Sequence, residues 1–211
     1  MSDPRTRIVA DGYDVIGERF VEWRDRIVGD ERDRWRTELT SRLAPGARIL
    51  ELGCGDGTPD ARILDAEGFA VTGVDSSAKQ VARARAHVPG ARFVQSDFTE
   101  LELDARSFDA VAVFYAFNNV PRDLLAPLFG RIHTWLVPGG LFLAAFGTSD
   151  TEEWVGEWLG TTMFFSSFPP EKTSLLLRDA GFELLLDERM RMVEPEPEPD
   201  EGVWQWVLAR S

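Results

Sequence analysis

Cysteine is almost missing from this chain: Cys54 is the only one in 211 residues, which excludes an internal disulfide and a zinc cluster. No long hydrophobic run exists. The apolar stretch from Val111 to Phe117 is too short to span a bilayer. The start, Met1 to Asp11, alternates charge and has no apolar core of signal-peptide type, so a cytoplasmic protein is expected. Positive charge is also in deficit. The formal net charge is -13 and the arginines are scattered, so a phosphate backbone or an anionic membrane would be repelled. No nucleic-acid or membrane partner is expected, and no metal. What is abundant is apolar surface: 44% hydrophobic residues, with 14 Phe and 7 Trp, enough for one compact domain with its own core.

No internal repeat is present at solenoid periods. Ile8 to Ile27 has a helical pattern, with Val9, Tyr13, Ile16, Phe20, Val21 and Trp23 recurring at mixed three- and four-residue steps; Asp30 to Leu43 forms a second amphipathic segment, ended by Pro45-Gly46. Strands and helices then alternate. Strands are predicted at Arg48–Leu52, Ala70–Val74, Ala91–Gln95, Phe108–Phe114 and Leu141–Phe146; helices are predicted at Pro59–Glu67, Ser76–Ala86 and Arg122–Leu136. Thr58 is a candidate cap for the first of these helices. Asp150 to Leu159 reads as a short helix, and Glu171 to Ala180 as a helix stopped by Gly181. The alternation predicts an α/β sheet, parallel through its first five strands, with helices on both faces. The last two strands, Phe182–Met190 and Val203–Ala209, are joined by Glu194 to Gly202, a Glu-Pro run that leaves no room for a helix. They should form an antiparallel hairpin, with that run an extended, solvated loop.

Glu51-Leu52-Gly53-Cys54-Gly55-Asp56-Gly57 follows an apolar strand and precedes a helix. Glycine is needed where φ is positive or where a ligand lies against the main chain. The nicotinamide fingerprint has two residues before its third glycine; here the spacing is Gly-x-Gly-x-Gly. The carboxylate of Glu51 would repel a pyrophosphate and suits an ammonium or hydroxyls. Asp75 closes the next strand, where a carboxylate can accept two hydrogen bonds from a ribose diol. Asp97 follows the third strand and is free to accept from an adenine amino group, with Phe98 able to cover the ring.

With these pieces the chain resembles a class I S-adenosylmethionine (SAM)-dependent methyltransferase of the small-molecule type. The matching segments are Ile49 to Gly57, Gly73 to Ser77, Gln95 to Phe98, Ser107 to Val111 and Trp135 to Gly140, in family order, covering roughly Arg48 to Gly147. The resemblance implies a Rossmann-like seven-stranded, mostly parallel sheet in the order 3-2-1-4-5-7-6, the seventh strand antiparallel, in a single domain over residues 1–211. It implies SAM across the carboxyl ends of the strands, with Glu51 at the loop, Gly53 and Gly55 along its amino-acid part, Asp75 and Ser76 at the ribose, Asp97 and Phe98 at the adenine, and Phe114 offering its backbone near the methionine group. An N-terminal helical cap, residues 1–45, would fold over SAM and bring the Tyr13 hydroxyl to the site.

SAM carries its own reactive methyl group, so the protein needs mainly to align a nucleophile and exclude water. Phe114 to Pro121 should form the floor of the reaction site. Many relatives have His at Asn118 or Asn119; amides cannot take a proton but can orient an acceptor, which puts His-assisted O-methylation in doubt. Tyr13, Asn118 and Asn119 are the catalytic candidates; His87, in a helix-to-strand loop, and His133, in a helix on the sheet, are not. Trp154, Trp158, Met163, Phe164, Phe165 and Phe168 crowd residues 148–170, read as a lid over an apolar, secondary-metabolite-like acceptor. Two further readings remain: a SAM-using enzyme that cyclises the aminobutyryl arm instead of methylating, and a non-catalytic SAM-binding module. A monomer or homodimer is expected.

Overall fold

The computed structural model describes residues 3–195 and 200–211. Nine strands and six α-helices are formed among the described residues. The chain opens with α1 (Pro4–Arg24) and α2 (Arg32–Thr40). There follow β1 (Arg48–Leu52), α3 (Asp60–Ala66), β2 (Ala70–Asp75), α4 (Ala78–His87), β3 (Arg92–Gln95) and β4 (Phe108–Val113). After a 3-10 turn at Ala116–Asn119 come α5 (Arg122–Trp135), β5 (Leu136–Gly147), β6 (Thr151–Trp158), β7 (Thr161–Ser167), α6 (Pro170–Asp179), β8 (Glu183–Glu194) and β9 (Asp200–Arg210).

Seven strands form the main sheet in the order β3-β2-β1-β4-β5-β9-β8. The strands β1 to β5 are mutually parallel, and β9 runs antiparallel to both β5 and β8. This is the expected mostly parallel α/β architecture, but β6 and β7 stand outside the main sheet and shift its numbering from the expected 3-2-1-4-5-7-6. The sheet is apolar on both faces because helices cover both. Neighbouring strand residues point to opposite sides, so Leu50 and Leu52 join a core with Phe129, Ile132, Phe142 and Phe182, while Ile49 joins Trp35, Leu39, Val81, Phe93 and Trp206 on the other face. The helix α5 shows why it docks: its buried Leu125, Leu128, Phe129, Ile132 and Trp135 recur every three or four residues on one stripe.

The expected helix over Asp150–Leu159 is not formed. That segment is β6, paired antiparallel with β7 as a two-stranded sheet. Trp158 pairs with Thr161 across Leu159 and Gly160, both at positive φ (48° and 77°), which suits a two-residue hairpin turn whose twist matches the strands. The residues around the turn are β-branched or aromatic, and Trp154, Gly156 and Trp158 fall at every second position, a strand period that outweighs the helical reading. A smaller correction concerns Thr58. Its hydroxyl donates to Asp56 Oδ1 at 2.7 Å and does not cap α3. The β8–β9 hairpin is longer than expected at its tip; the Glu-Pro loop falls on residues 196–199, outside the described residues.

The N-terminal helix α1 lies across the carboxyl edge of the sheet. It bends at Gly17 (φ 24°, ψ -94°) and packs against β7. At Gly12 a side chain would run into the Met163 Sδ, so glycine there lets helix and hairpin approach closely. Asp14 ties α1 to α4: its Oδ1 accepts from the Ser77 hydroxyl and, at 3.1 Å, from the Lys79 N–H.

Candidate cofactor and acceptor site

A cavity of about 440 Å³ opens where β1, β2, β3 and β4 end, roofed by α1 and the β6–β7 hairpin. Its floor is the glycine bend. Gly53 has φ 71°, and a Cβ there would fall inside contact distance of the Ala116 methyl; Gly55 has φ 54° with open space where its Cβ would be. Both glycines line the cavity. The Gly55 N–H donates to Asp75 Oδ2 at 2.9 Å and the Ser77 N–H to Asp75 Oδ1 at 2.9 Å, so the ends of β1 and β2 are locked together. Burial pushes the Asp75 carboxyl up to about 6, offset in part by those two N–H groups; the carboxylates of Asp14 and Asp56 raise it further.

Asp97 Oδ1 accepts from the Thr99 N–H (2.8 Å) and hydroxyl (2.7 Å), while Oδ2 is buried without a partner. Asp97, Phe98 and Thr99 all line the cavity. Ser76 and Phe114 line it too, Phe114 with its ring against Trp206. Glu51 is placed differently from the other cofactor candidates. It is 3% exposed, is absent from the cavity wall, and has an unpartnered Oε2 behind the bend. Burial raises its carboxyl well above the usual range, helped by the nearby Asp60 carboxylate and opposed by Arg32.

Of the catalytic candidates, Tyr13 and Asn119 meet. The Tyr13 hydroxyl donates to Asn119 Oδ1 at 3.2 Å, and Asn119 Nδ2 donates to the Phe164 carbonyl at 2.9 Å, so the floor holds helix and hairpin at once. Burial, with the Asp75 charge behind it, holds the Tyr13 phenol above its usual range. Asn118 Oδ1 accepts from the Gly147 N–H at 2.8 Å, and the side chain lines the cavity with Nδ2 uncommitted. The two histidines lie elsewhere: the His87 ring contacts the Asp56 carbonyl, and His133 packs on Phe182.

Several lining residues were not read from the sequence. Arg32 enters from α2. Its Nε donates to Asp30 Oδ2 (2.7 Å), its Nη1 to Asp60 Oδ2 (3.1 Å), and its guanidinium lies 5.0 Å over the Tyr115 ring. Tyr115 itself has φ 66°, unusual for a bulky residue, and its hydroxyl donates to Asp30 Oδ1 at 2.6 Å. Gln80, one turn into α4, lines the cavity with Oε1 buried and unpartnered. Only its place in the first turn after the Asp75 strand could have marked it.

The chain matches the model of a methyltransferase domain over residues 49–140. It is 30% identical over 150 residues to a protein named sterol methyltransferase-like 2 from Botryococcus braunii, covering 64% of this chain and 37% of that one. It is 31% identical over 153 residues to a demethylmenaquinone methyltransferase from Beutenbergia cavernae, covering 69% and 63%. The chain thus spans roughly a third to under two thirds of the length of these curated relatives. A crystal structure of a SAM-dependent methyltransferase from Mesorhizobium loti superposes with a TM-score of 0.66 at 25% identity, covering 82% of this chain and 96% of that one.

Fold and site therefore define a SAM-dependent methyltransferase architecture. The chain carries a class I SAM-dependent methyltransferase domain, and SAM is the cofactor of that family. The residues fit this group: the empty space over Gly55 admits a ligand against the main chain, and Asp97 Oδ2 is a buried acceptor that lacks a donor. No helix among the described residues is long and apolar enough to cross a membrane.

Proposed function

We propose that the protein transfers a methyl group from SAM to a small, apolar acceptor, of the kind found in secondary metabolism, by alignment and exclusion of water. The observation that carries this reading is a single cavity with the glycine bend as floor and an aromatic roof. When bound, SAM supplies a methyl group on a positively charged sulfur. The chain's own residues do the rest. Asp97 Oδ2 receives the adenine amino group, Phe98 covers the ring, and Asp75, with Gln80 beside it, takes the ribose hydroxyls. Gly53 and Gly55 let the amino-acid arm lie against the backbone, and Arg32 offers the positive charge for its carboxylate.

The roof then encloses the reacting atoms, where alignment supplies much of the rate. Asn118 Nδ2 orients the acceptor. Tyr13 stays protonated, because its hydroxyl donates to Asn119, and holds the roof down. The test has two stages. Isothermal titration with S-adenosylhomocysteine should show binding that Asp75→Ala weakens; no binding by the wild type ends every SAM-based reading. A metabolite screen should then release S-adenosylhomocysteine. Release of methylthioadenosine instead would mark the cyclising reaction.

A further inference from the structure

Six aromatic side chains form one continuous wall at the roof end of the cavity. Phe20 packs on Tyr13 (5.3 Å between ring centres) and Trp23 (6.1 Å), Trp158 sits edge-on to Trp23 (5.1 Å) and Phe165 (5.4 Å), and Trp154 leans on Phe165 (5.6 Å). All six line the cavity, and Phe20, Trp23, Trp158 and Phe165 each keep part of their surface uncovered. Three of the rings come from α1 and three from the β6–β7 hairpin, so the wall exists only because these distant elements meet. Aromatic faces carry negative electrostatic potential and attract a positive centre.

The same end of the cavity has nothing placed to take a proton. Among the described lining residues, Asp75 has both oxygens on backbone N–H groups and Asp97 sits at the Thr99 turn. The Tyr115 hydroxyl faces Asp30, and the Glu194 carboxylate is engaged beside Gly202 and Trp204. What remains beside the wall is amide and hydroxyl: Asn118, Asn119, Thr151 and Ser166. Such groups orient a nucleophile and do not deprotonate it. The two arginines that line the cavity are held by Thr58, Asp30 and Asp60.

From this we infer that the acceptor is an uncharged nitrogen with no proton to lose, a pyridine-type ring nitrogen that is unprotonated at neutral pH, on a flat apolar body. The inference rests on the methyl-transfer reading above. The nitrogen lone pair forms the new N–CH3 bond as the S–CH3 bond breaks, and the departing electron pair stays on sulfur. The positive charge passes from sulfur to nitrogen, no proton leaves, and no base is required. The wall faces a cation before and after the transfer.

The experiment uses a product-like probe in the S-adenosylhomocysteine complex. By isothermal titration, N-methylquinolinium should bind about tenfold tighter than its neutral isostere 1-methylnaphthalene, the size expected of a partly desolvated cation–aromatic contact. Trp158→Leu and, separately, Trp23→Leu should bring that ratio towards one while S-adenosylhomocysteine still binds, which also shows that the variant is folded. Equal or tighter binding of the naphthalene overturns the inference. So does turnover of 1-naphthol or thiophenol when quinoline is left unmethylated. If S-adenosylhomocysteine itself fails to bind the wild type, the methyl-transfer reading has failed first, and the two failures are told apart.

Discussion

Asp97 offers the sharpest quantitative test. Its Oδ1 is occupied by Thr99 and its Oδ2 is buried with no donor, so a ligand that brings an N–H to this point gains a charge-assisted bond without losing an existing one. Hydrogen bonds to charged groups contribute about 1.5–3 kcal/mol, and about 1.4 kcal/mol is a factor of ten in affinity. S-adenosylhomocysteine should therefore bind roughly 10- to 150-fold tighter than S-inosylhomocysteine, in which a carbonyl replaces the amino group and meets Oδ2 acceptor to acceptor. Asp97→Asn keeps the Oδ1 bonds to Thr99 and turns the other atom into a donor. In that variant the preference should shrink or invert. Titration calorimetry of both ligands on both proteins completes the square. Wild-type protein that binds the two equally, or an Asn variant that keeps the full preference, would refute the placement of the adenine at Asp97.

Gly12→Ala places a methyl group against Met163 Sδ and, at 3.2 Å, the Thr162 carbonyl, so it should destabilise the fold by about 1–3 kcal/mol, read as a lower urea midpoint. Asp75 gives a pH signature. Its folded carboxyl sits at about 6, above the unfolded value near 3.8, so the folded state holds the extra proton between those values and ligand-free stability falls as pH rises through that window. Ribose hydroxyls donate to the ionised form, so S-adenosylhomocysteine should bind more tightly at pH 7 than at pH 5; calorimetry at the two values checks it. Tyr13→Phe removes only the bond to Asn119, at a cost of about 1 kcal/mol, and should slow turnover less than tenfold without moving the pH–rate profile. A profile that loses an ionisation in this variant would make the phenol a proton carrier.

The parts of the site that were legible in the sequence are those encoded locally. The bend from Gly53 to Gly57, Asp75 and Asp97 each sit just past a short apolar strand, so the strand pattern alone sets them along one sheet edge. The β6–β7 hairpin was not legible because a crowded aromatic segment with two glycines carries weak evidence for either period. Arg32 and Gln80 escaped for another reason. Their roles depend on which face α2 and α4 turn towards the cavity, and helix packing decides that. Glu51 shows the converse: its position in the motif is plain, yet its side chain points behind the bend, where burial first, then Asp60, raises its carboxyl against the pull of the arginines of α2.

The meeting of Gly12 with Met163 has a consequence for how the molecule is made. Position 12 leaves the ribosome well before its partner, residue 163. Until then the first helix has only α4 to settle on, through Asp14 with Ser77 and Lys79, and lacks its larger partner, the hairpin. A nascent or truncated chain that stops before the hairpin would leave the nucleoside floor open to water, and the chamber is sealed only once the hairpin has been made.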